Sequence, residues 1–535
     1  MKKYIKNIVP VAALLLTMGT ATSCVGDLDV TPINPNIQTG LNIDGLFNKC
    51  YANFAMAGNG GANGDCDIDG IDGGTSGFVR QTFNANELPT DEAICGWGDD
   101  GIAGFCYNSY NATNPMLQGL YARITTGIAY CNQYLAEAGD QDATKLAEIR
   151  FLRAYEYFSL MDGWGNIPFT LQPLTKPERY TRAQVYEWLE KELLEIEPKL
   201  SEAKAKKSTD AGYGRVDKAA CWLRLYLNAE VYTGTPQWEK AKSYAKKVMD
   251  SSYKLNTTSV NGWSAYQMLF MGDNGETDAA YEGIFPLLQD GLKTTSWGTT
   301  LFLLASTYDQ DMHANPNNPK ATNGTDQAWG GNRARPDLVK KFFPNGNVPN
   351  LESYATAEAA GDDRALFNGV NRTLDNDDVS TFKSGFGVAK FTNFKTDGSA
   401  GHDATFPDAD FFLMRAAEAY LNFAEADARL HGDQTTEEGT AAINAIRKRA
   451  HASIREDKGY SLSDICDEWS REFYFEGRRR MDLIRFNRYG GNVNYNWQWK
   501  GGTKEGRNFS KDLNIFAIPT NELTSNKNLI QNPGY

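Results

Sequence analysis

Apolar side chains recur every three or four positions over two long parts of the chain. In residues 146–162, for example, Ile149, Leu152 and Tyr155 fall on one face of a helical wheel, and this spacing is typical of an amphipathic helix. The same periodicity predicts further helices over residues 183–200, 216–233, 237–250, 411–430, 437–452 and 462–486. We therefore expect a mainly α-helical protein.

The predicted helices at 216–233 and 237–250 form a pair that is similar to a tetratricopeptide unit. Small and aromatic side chains such as Ala229, Tyr232 and Tyr244 occupy positions at which the two helices of such a unit interlock. The pattern does not repeat about every 34 residues, as a regular array would. The sequence thus predicts divergent helical hairpins.

Outside these helices the chain is rich in Gly, Asn, Asp, Thr and Pro. This composition predicts loops over residues 58–77, 88–116 and 255–405. An irregular stretch as long as the last one is usually functional in a globular protein, so we expect the loops to bind the ligand and the helices to support them. The predicted helical scaffold spans about 120–255 and 410–490, and the predicted loop-rich lobe spans about 46–120 and 255–405.

The first residues have the parts of a bacterial lipoprotein signal. Three lysines precede an apolar stretch at 8–18, and small residues then lead to Cys24. This order predicts a cleaved signal over 1–23 and a lipid on the thiol of Cys24. An ordinary secretory signal followed by an accidental cysteine is the alternative. Residues 24–45 are predicted to form an extended tether, and residues 46–535 one domain.

The overall charge and the cysteine spacing exclude several classes of function. The formal net charge is −13, and an acidic surface argues against nucleic-acid binding. The cysteines after Cys24 include no C-x-x-C pair, which argues against zinc ribbons and thioredoxin-like redox sites. The aromatic content of 12% is high, and large aromatic faces serve sugar binding as well as protein cores.

Three segments resemble the SusD-like family of glycan-binding lipoproteins. They are EWSREFYFEGRRRMDLIRF (468–486), RAAEAYLNFAEA (415–426) and GRVDKAACWLRLYLNAEVYTG (214–234). The run DGIDGGTSGFVRQTFNANELPTDE (69–92) is similar to the starch-binding subgroup of that family. The likeness extends from Cys24 to the closing NPGY, and so covers nearly the whole chain.

The resemblance carries expectations about fold, partners and activity. It implies tetratricopeptide-like helical hairpins packed against an irregular lobe. It also implies a lipid-anchored protein at the cell surface of a Gram-negative bacterium, where it closes over a SusC-like TonB-dependent transporter in the outer membrane. For the starch-binding subgroup the expected ligands are α-1,4-glucan oligosaccharides, which the protein would bind without any catalysis.

The resemblance further implies a starch site on six residues of this chain. They are Asp72, Arg80, Trp97, Asp100, Trp297 and Trp329. The founder of the family carries Asn at the position of Asp100 and Tyr at that of Trp297, and both replacements keep the physical role of the side chain. Aromatic rings bury the apolar face of a sugar, while charged groups bind its hydroxyls. An arc of three indoles would fit a helically wound α-glucan better than a flat β-glucan.

The predicted function requires no cofactor. Two loops rich in oxygen ligands, around Asp273 and Asp410, are candidates for structural calcium sites. Their alternative interpretation is that they are solvated turns.

Other functions also remain open on the sequence alone. A catalytic carboxylate pair of a glycoside hydrolase can hide among 67 acidic residues, although neither H-E-x-x-H nor G-x-S-x-G occurs. A protein-interaction scaffold would use the helical hairpins instead. The same fold could also bind a different glycan.

Replacing the predicted lipidation site tests the anchor. Cys24→Ala should release the protein from the membrane or misdirect it, because the thiol that carries the lipid is lost. Cell fractionation combined with surface labelling measures this. A variant that stays membrane-bound and exposed at the cell surface would show that Cys24 is not the anchor.

Overall fold

The computed structural model describes residues 42–58, 62, 66–139, 142–313 and 322–535. The chain divides into two units, Met1–Leu46 and Phe47–Tyr535. The predicted signal over 1–23 and Cys24 lie outside the described residues. Within those described ranges, no helix is long and apolar enough to cross a membrane.

Most of the regular structure is helical, which confirms the predicted fold class. In chain order the helices are α1 (Ile43–Ala55), α2 (Gly73–Ser76), α3 (Phe78–Asn86), α4 (Ile102–Cys106), α5 (Pro115–Glu137), α6 (Ala143–Trp164), α7 (Arg182–Ile196), α8 (Lys218–Cys221), α9 (Ala229–Thr233), α10 (Trp238–Met249), α11 (Thr300–Ala305), α12 (Gln310–His313), α13 (Pro336–Lys340), α14 (Ser353–Ala360), α15 (Ala416–Leu430), α16 (Glu437–Arg449), α17 (Leu462–Phe473), α18 (Arg479–Arg485) and α19 (Thr520–Ser525).

The strands are short and form antiparallel pairs. They are β1 (Ala93–Cys95) with β5 (Asn332–Ala334), β2 (Ile167–Phe169) with β3 (Glu178–Tyr180), β4 (Gly283–Leu287) with β8 (Phe411–Arg415), and β6 (Phe367–Asn368) with β7 (Gly387–Val388).

The long helices pack as neighbouring pairs, α5 with α6, α6 with α7, and α15 with both α10 and α16. Local sequence explains where several of them begin. The side chain of Asn114 caps α5, and Pro115 occupies its first turn, where no backbone N–H is needed. Thr181 and Gln184 form a reciprocal capping box at the start of α7. These pairs lie in the parts of the chain predicted to be the scaffold.

The helix predicted over 216–233 is interrupted in the structure. Arg224 adopts a left-handed backbone conformation with φ 65°, which a helix cannot accommodate. Its guanidinium donates to the carboxylate of Glu418, at 3.0 Å from Oε1, and to the hydroxyl of Tyr155 at 2.6 Å. The pairing of a buried charge therefore overrides the helical periodicity at this point.

The helix predicted over 462–486 is likewise two helices. It stops at Phe473 because Phe475 and Gly477 have φ of 65° and 77°. The break lets Glu476 accept hydrogen bonds from Arg415 and from Lys390. Periodicity alone cannot reveal this break, since its cause is far away in sequence.

Regular structure also occurs where loop or tether was predicted. Helix α1 begins at Ile43, inside the predicted tether, while β1 and α4 lie inside the loop predicted over 88–116. The strand β1 is buried throughout, and α4 is a five-residue helix that buries Ile102, Phe105 and Cys106. Segments of this kind show no clear period in sequence.

Buried ion pairs connect the helices to the irregular part of the chain. The carboxylate of Glu472 on α17 pairs with Arg415 at 2.6 Å, with Arg364 at 3.2 Å and with Arg449. All of these side chains are buried. Burial would raise the pKa of Glu472, but the three guanidinium groups hold it well below its ordinary value. Glu282 pairs with two of the same arginines and extends the cluster.

Removing one member of this cluster should be costly. Glu472→Gln should lower the free energy of unfolding by about 3–5 kcal/mol, because it leaves buried guanidinium charge without its partner. Urea denaturation followed by circular dichroism measures the change. Glu195→Gln is the control, since that carboxylate is exposed and pairs with Arg150 and Lys199 at the surface, where a loss of about 1 kcal/mol or less is expected. Equal losses of stability in the two variants would show that Glu472 does not neutralise buried guanidinium charge.

Candidate functional site

The antiparallel pair β1–β5 brings two of the predicted site tryptophans together. Cys95 and Asn332 face each other in the register of the two strands. Trp97 follows β1 by two residues and Trp329 precedes β5 by three. Because the two strands are antiparallel, both tryptophans lie at the same end of the pair. The indole Nε1 of Trp97 donates to the carbonyl of Trp329 at 3.3 Å.

The third tryptophan is fixed by a contact between its loop and helix α3. The backbone N–H of Arg80 donates to the carbonyl of Gly298 at 2.9 Å. Gly77 and Gly298 also pack closely, because a Cβ on Gly77 would lie 3.2 Å from the Cα of Gly298. This close approach of two backbones positions Trp297, the residue before Gly298.

The three indoles form a continuous row. The ring centroids of Trp97 and Trp329 lie 6.3 Å apart with an interplanar angle of 51°. Those of Trp329 and Trp297 lie 6.4 Å apart at 37°. All three side chains are half-buried, so each keeps part of its surface open to solvent. Adjacent rings in the row are therefore tilted with respect to each other.

Arg80 lies beside this row. Its guanidinium carbon is 5.7 Å from the ring centroid of Trp97 and 5.4 Å from that of Phe302. Within the part of the chain that the structure describes, the buried Nε of Arg80 has no hydrogen-bond partner. Burial lowers the pKa of the guanidinium, and the nearby charges of Asp99 and Asp72 oppose that shift. A buried donor of this kind favours a ligand that can accept from it.

Of the two predicted aspartates, Asp72 lies next to Arg80, and Asp100 lies in an exposed turn. A Cβ on Gly74 would lie 2.8 Å from Nη1 of Arg80 and 3.1 Å from Oδ1 of Asp72, so both side chains flank this glycine. Burial would raise the pKa of Asp72, but hydrogen bonds from Thr75 and the charge of Arg80 lower it. Asp100 is exposed in the turn before α4, and the acidic charge that acts most strongly on Arg80 is that of its neighbour Asp99.

Phe406 adjoins the aromatic row, and the sequence did not predict it there. Its ring meets that of Trp297 edge-on, with centroids 4.9 Å apart and an interplanar angle of 65°. The hydroxyl of Thr405 donates to the carboxylate of Asp326 at 2.9 Å, which fastens this loop beside the loop of Trp329. Phe406 is half-buried and extends the aromatic row by one ring. No spacing in the sequence connects it to the tryptophans.

The predicted calcium ligands are engaged by protein donors. Oδ1 of Asp410 accepts from the backbone of Gln289 at 2.8 Å, and Oδ2 accepts from the hydroxyl of Tyr213 at 2.7 Å. Burial raises the pKa of Asp410 to about 7. Oδ2 of Asp273 accepts from Thr396, whereas its buried Oδ1 has no partner among the described residues. Those residues place no three His, Cys, Asp or Glu side chains around a common point, and calcium stays a prediction.

Sequence comparison identifies the family. "Starch-binding protein SusD" of Bacteroides thetaiotaomicron is 38% identical to this chain over 576 aligned positions, which cover 100% of this chain and 99% of the relative. A family model described as the SusD family also matches residues 352–535. The chain belongs to the SusD family. Members of this family are carbohydrate-binding proteins of the cell surface and not enzymes, so this SusD-family chain is a glycan-binding protein and the glycoside hydrolase alternative is rejected.

Solved structures of the SusD superfamily share the fold. A SusD superfamily protein from Parabacteroides distasonis has a TM-score of 0.65 at 17% identity, covering 92% of this chain and 98% of that one. Surface glycan-binding protein A from Bacteroides thetaiotaomicron, in complex with laminarihexaose, has a TM-score of 0.64 at 20% identity, with coverage of 92% and 98%. At this level of identity the likeness shows the fold alone.

A single added methyl group tests the geometry of the row. A Cβ on Gly331 would lie 2.1 Å from Cε2 of Trp97, so Gly331→Ala should displace that indole and weaken glycan binding by about fivefold to a hundredfold. Gly98→Ala is the matched control, because a Cβ on Gly98 meets nothing within 4 Å. Calorimetric titration with a glycan ligand measures both variants. Wild-type affinity in Gly331→Ala would mean that Trp97 does not contribute to binding.

Proposed function

We propose that the protein binds starch-like α-1,4-glucans along its aromatic row and delivers them to a SusC-like TonB-dependent transporter of the outer membrane. The observation that carries the proposal is the row of tilted rings of Trp97, Trp329 and Trp297, with Arg80 beside it. The starch-binding relative at 38% identity supports the choice of ligand.

Stacking explains why the row favours an α-1,4-glucan. A pyranose ring has an apolar C–H face, which is best buried on an aromatic face. Adjacent indoles in the row are tilted by 51° and 37°, so successive sugars must turn to stay in contact with them. An α-1,4-linked chain turns in this way, whereas a flat β-1,4-linked chain of the cellulose type does not follow the tilted rings.

Polar groups beside the row would select for hydroxyls. The guanidinium of Arg80 is a rigid fork of donors that suits a pair of neighbouring hydroxyls. The carboxylate of Asp72 lies close to the same glycine, Gly74, and stays ionised at neutral pH, since its pKa is lowered. Charged acceptors form stronger hydrogen bonds than neutral ones. Asp100, exposed nearby along the chain, would contact longer ligands.

In this proposal the rest of the chain holds and places the site. A lipid on Cys24 anchors the protein to the outer membrane, and residues 24–45 act as the tether. The helical scaffold supports the lobe that binds the glycan, and the protein closes over the transporter as a lid. Binding and release involve no covalent step, so no acid, base or nucleophile is needed.

A second candidate ligand is a β-glucan. The solved neighbour with laminarihexaose is itself a glycan-binding protein with this fold, and the fold therefore does not decide the linkage. Titration with matched α- and β-linked oligosaccharides separates the two candidates, and we expect tighter binding of the α-linked ligand.

Removing single indoles should abolish most of the binding. Each stacked ring should contribute on the order of 1–3 kcal/mol, by analogy with stacking of bases on aromatic side chains. Trp97→Ala and Trp329→Ala should therefore each weaken binding of a cyclic α-1,4-glucan by about fivefold to more than a hundredfold. Calorimetric titration of the purified proteins measures this.

The control is Trp238→Ala. Trp238 is also half-buried, but it lies on helix α10, where the guanidinium of Arg429 packs 4.6 Å from its ring centroid. Its loss should lower stability and leave the affinity of the folded protein unchanged. If Trp97→Ala and Trp329→Ala both bind like wild type, the site lies elsewhere.

A further inference from the structure

A second aromatic pair lies near the surface, apart from the row. The ring centroids of Tyr107 and Trp499 are 5.7 Å apart, with an interplanar angle of 57°. Both side chains are half-buried. Neither residue belongs to the six site residues implied by the family resemblance. The pair consists of two tilted rings that are each partly open to solvent. In this respect it is similar to two adjacent indoles of the tryptophan row.

The backbone of Trp499 is held in an unusual conformation. Its φ is 70°, a value that is rare for a bulky side chain. Its indole Nε1 donates to the carbonyl of Asn376 at 2.7 Å, and the N–H of Gly501 donates to Asn108 at 3.1 Å. The Oε1 of the neighbouring Gln498 accepts a hydrogen bond from the backbone N–H of Asn376 at 2.7 Å. The indole is thus fixed in place although it is partly exposed.

The segment that holds Trp499 also borders the first site. The side chain of Asn376 donates to the carbonyls of Ala334, on β5, and of Ser384. A few residues further on, the carbonyl of Val379 lies 2.9 Å from the position of a Cβ on Gly96, the residue before Trp97. Tyr107 directly follows α4. The last residue of α4 is Cys106, whose sulfur accepts a hydrogen bond from the backbone N–H of Cys95, on β1, at 3.4 Å. Both aromatic groups are therefore built on the β1–β5 pair.

Polar groups at the second pair can bind hydroxyls. One of these groups is the phenol of Tyr107, whose side chain is half-buried. Burial raises the pKa of this phenol, and the nearby carboxylate of Asp378 adds to the rise. Asp378 itself is exposed. A hydroxyl donor and a charged acceptor beside an aromatic face are the groups that sugar binding uses.

From this geometry we infer that Tyr107 and Trp499 form a second stacking platform, which binds sugar rings further along the same α-1,4-glucan that occupies the tryptophan row. This inference rests on the proposed function. The occupant follows from the segment 376–384, which contacts both Trp499 and the residue before Trp97, and from the likeness in chemistry of the two aromatic groups. A ligand too short to leave the row would not reach the platform, whereas a long chain would occupy both.

Titrations with short and long ligands test the platform. Tyr107→Leu and Trp499→Leu remove the flat rings while keeping apolar volume. Each should weaken binding of linear amylose by about fivefold or more and leave the affinity for a small cyclic α-1,4-glucan unchanged. Trp499→Phe should restore much of the amylose affinity, because a ring face is present although the hydrogen bond to Asn376 is lost.

Trp222→Leu is the matched control, since this half-buried indole also donates its Nε1, to Glu197 at 2.8 Å, and lies in the helical part of the chain. It should leave both affinities unchanged. If Tyr107→Leu and Trp499→Leu bind amylose like wild type, or lose affinity for cyclic and linear ligands equally, the two rings do not form a second platform. Neither result would contradict glycan binding on the tryptophan row. If wild type binds neither ligand, it is the proposed function that fails.

Discussion

Neutralisation of buried charge around Glu472 is the interaction on which this structure depends. Its carboxylate forms ion pairs with three arginines, which lie on β8, at the end of α16 and in the segment after α14. They are Arg415, Arg449 and Arg364. None of these charges can be solvated by water, so each has to be paired by the others. Four distant segments can reach one point only if the helices and the irregular chain are packed together. The loops that carry the aromatic rings are thereby fixed to a rigid base.

Two further arginines fasten the segments around the aromatic row. The guanidinium of Arg335 donates to the carbonyls of Leu88, Ala93 and Cys106, and thus connects the start of β1 with the segment before it and with the end of α4. Arg333 donates to the carbonyl of Val379. Charged donors bind carbonyls more strongly than neutral ones, so segments with little regular structure keep one conformation. A site that is already ordered loses less conformational entropy when a glycan binds.

The sequence predicts α6, α7, α10 and α15 to α17, because apolar side chains recur along them at helical spacing. It does not predict α5, the 23-residue helix Pro115–Glu137. It cannot predict the breaks at Arg224 and at Phe475, whose causes are ionic partners far along the chain. The tryptophan row likewise needs the pairing of β1 with β5, two three-residue strands separated by more than two hundred positions. Only the family resemblance brought those tryptophans together in advance. Phe406 and Asp99 carry no such signal, and the structure alone places them at the site.

A crystal structure of the protein with a cyclic α-1,4-glucan would show whether the aromatic row binds the ligand. We expect successive glucose rings with their C–H faces on the indoles of Trp97, Trp329 and Trp297, and neighbouring hydroxyls within hydrogen-bond distance of the Arg80 guanidinium. The protein backbone around the row should move little on binding. A ligand bound at another surface, with the three indoles still in contact with solvent, would show that the row is not the binding site.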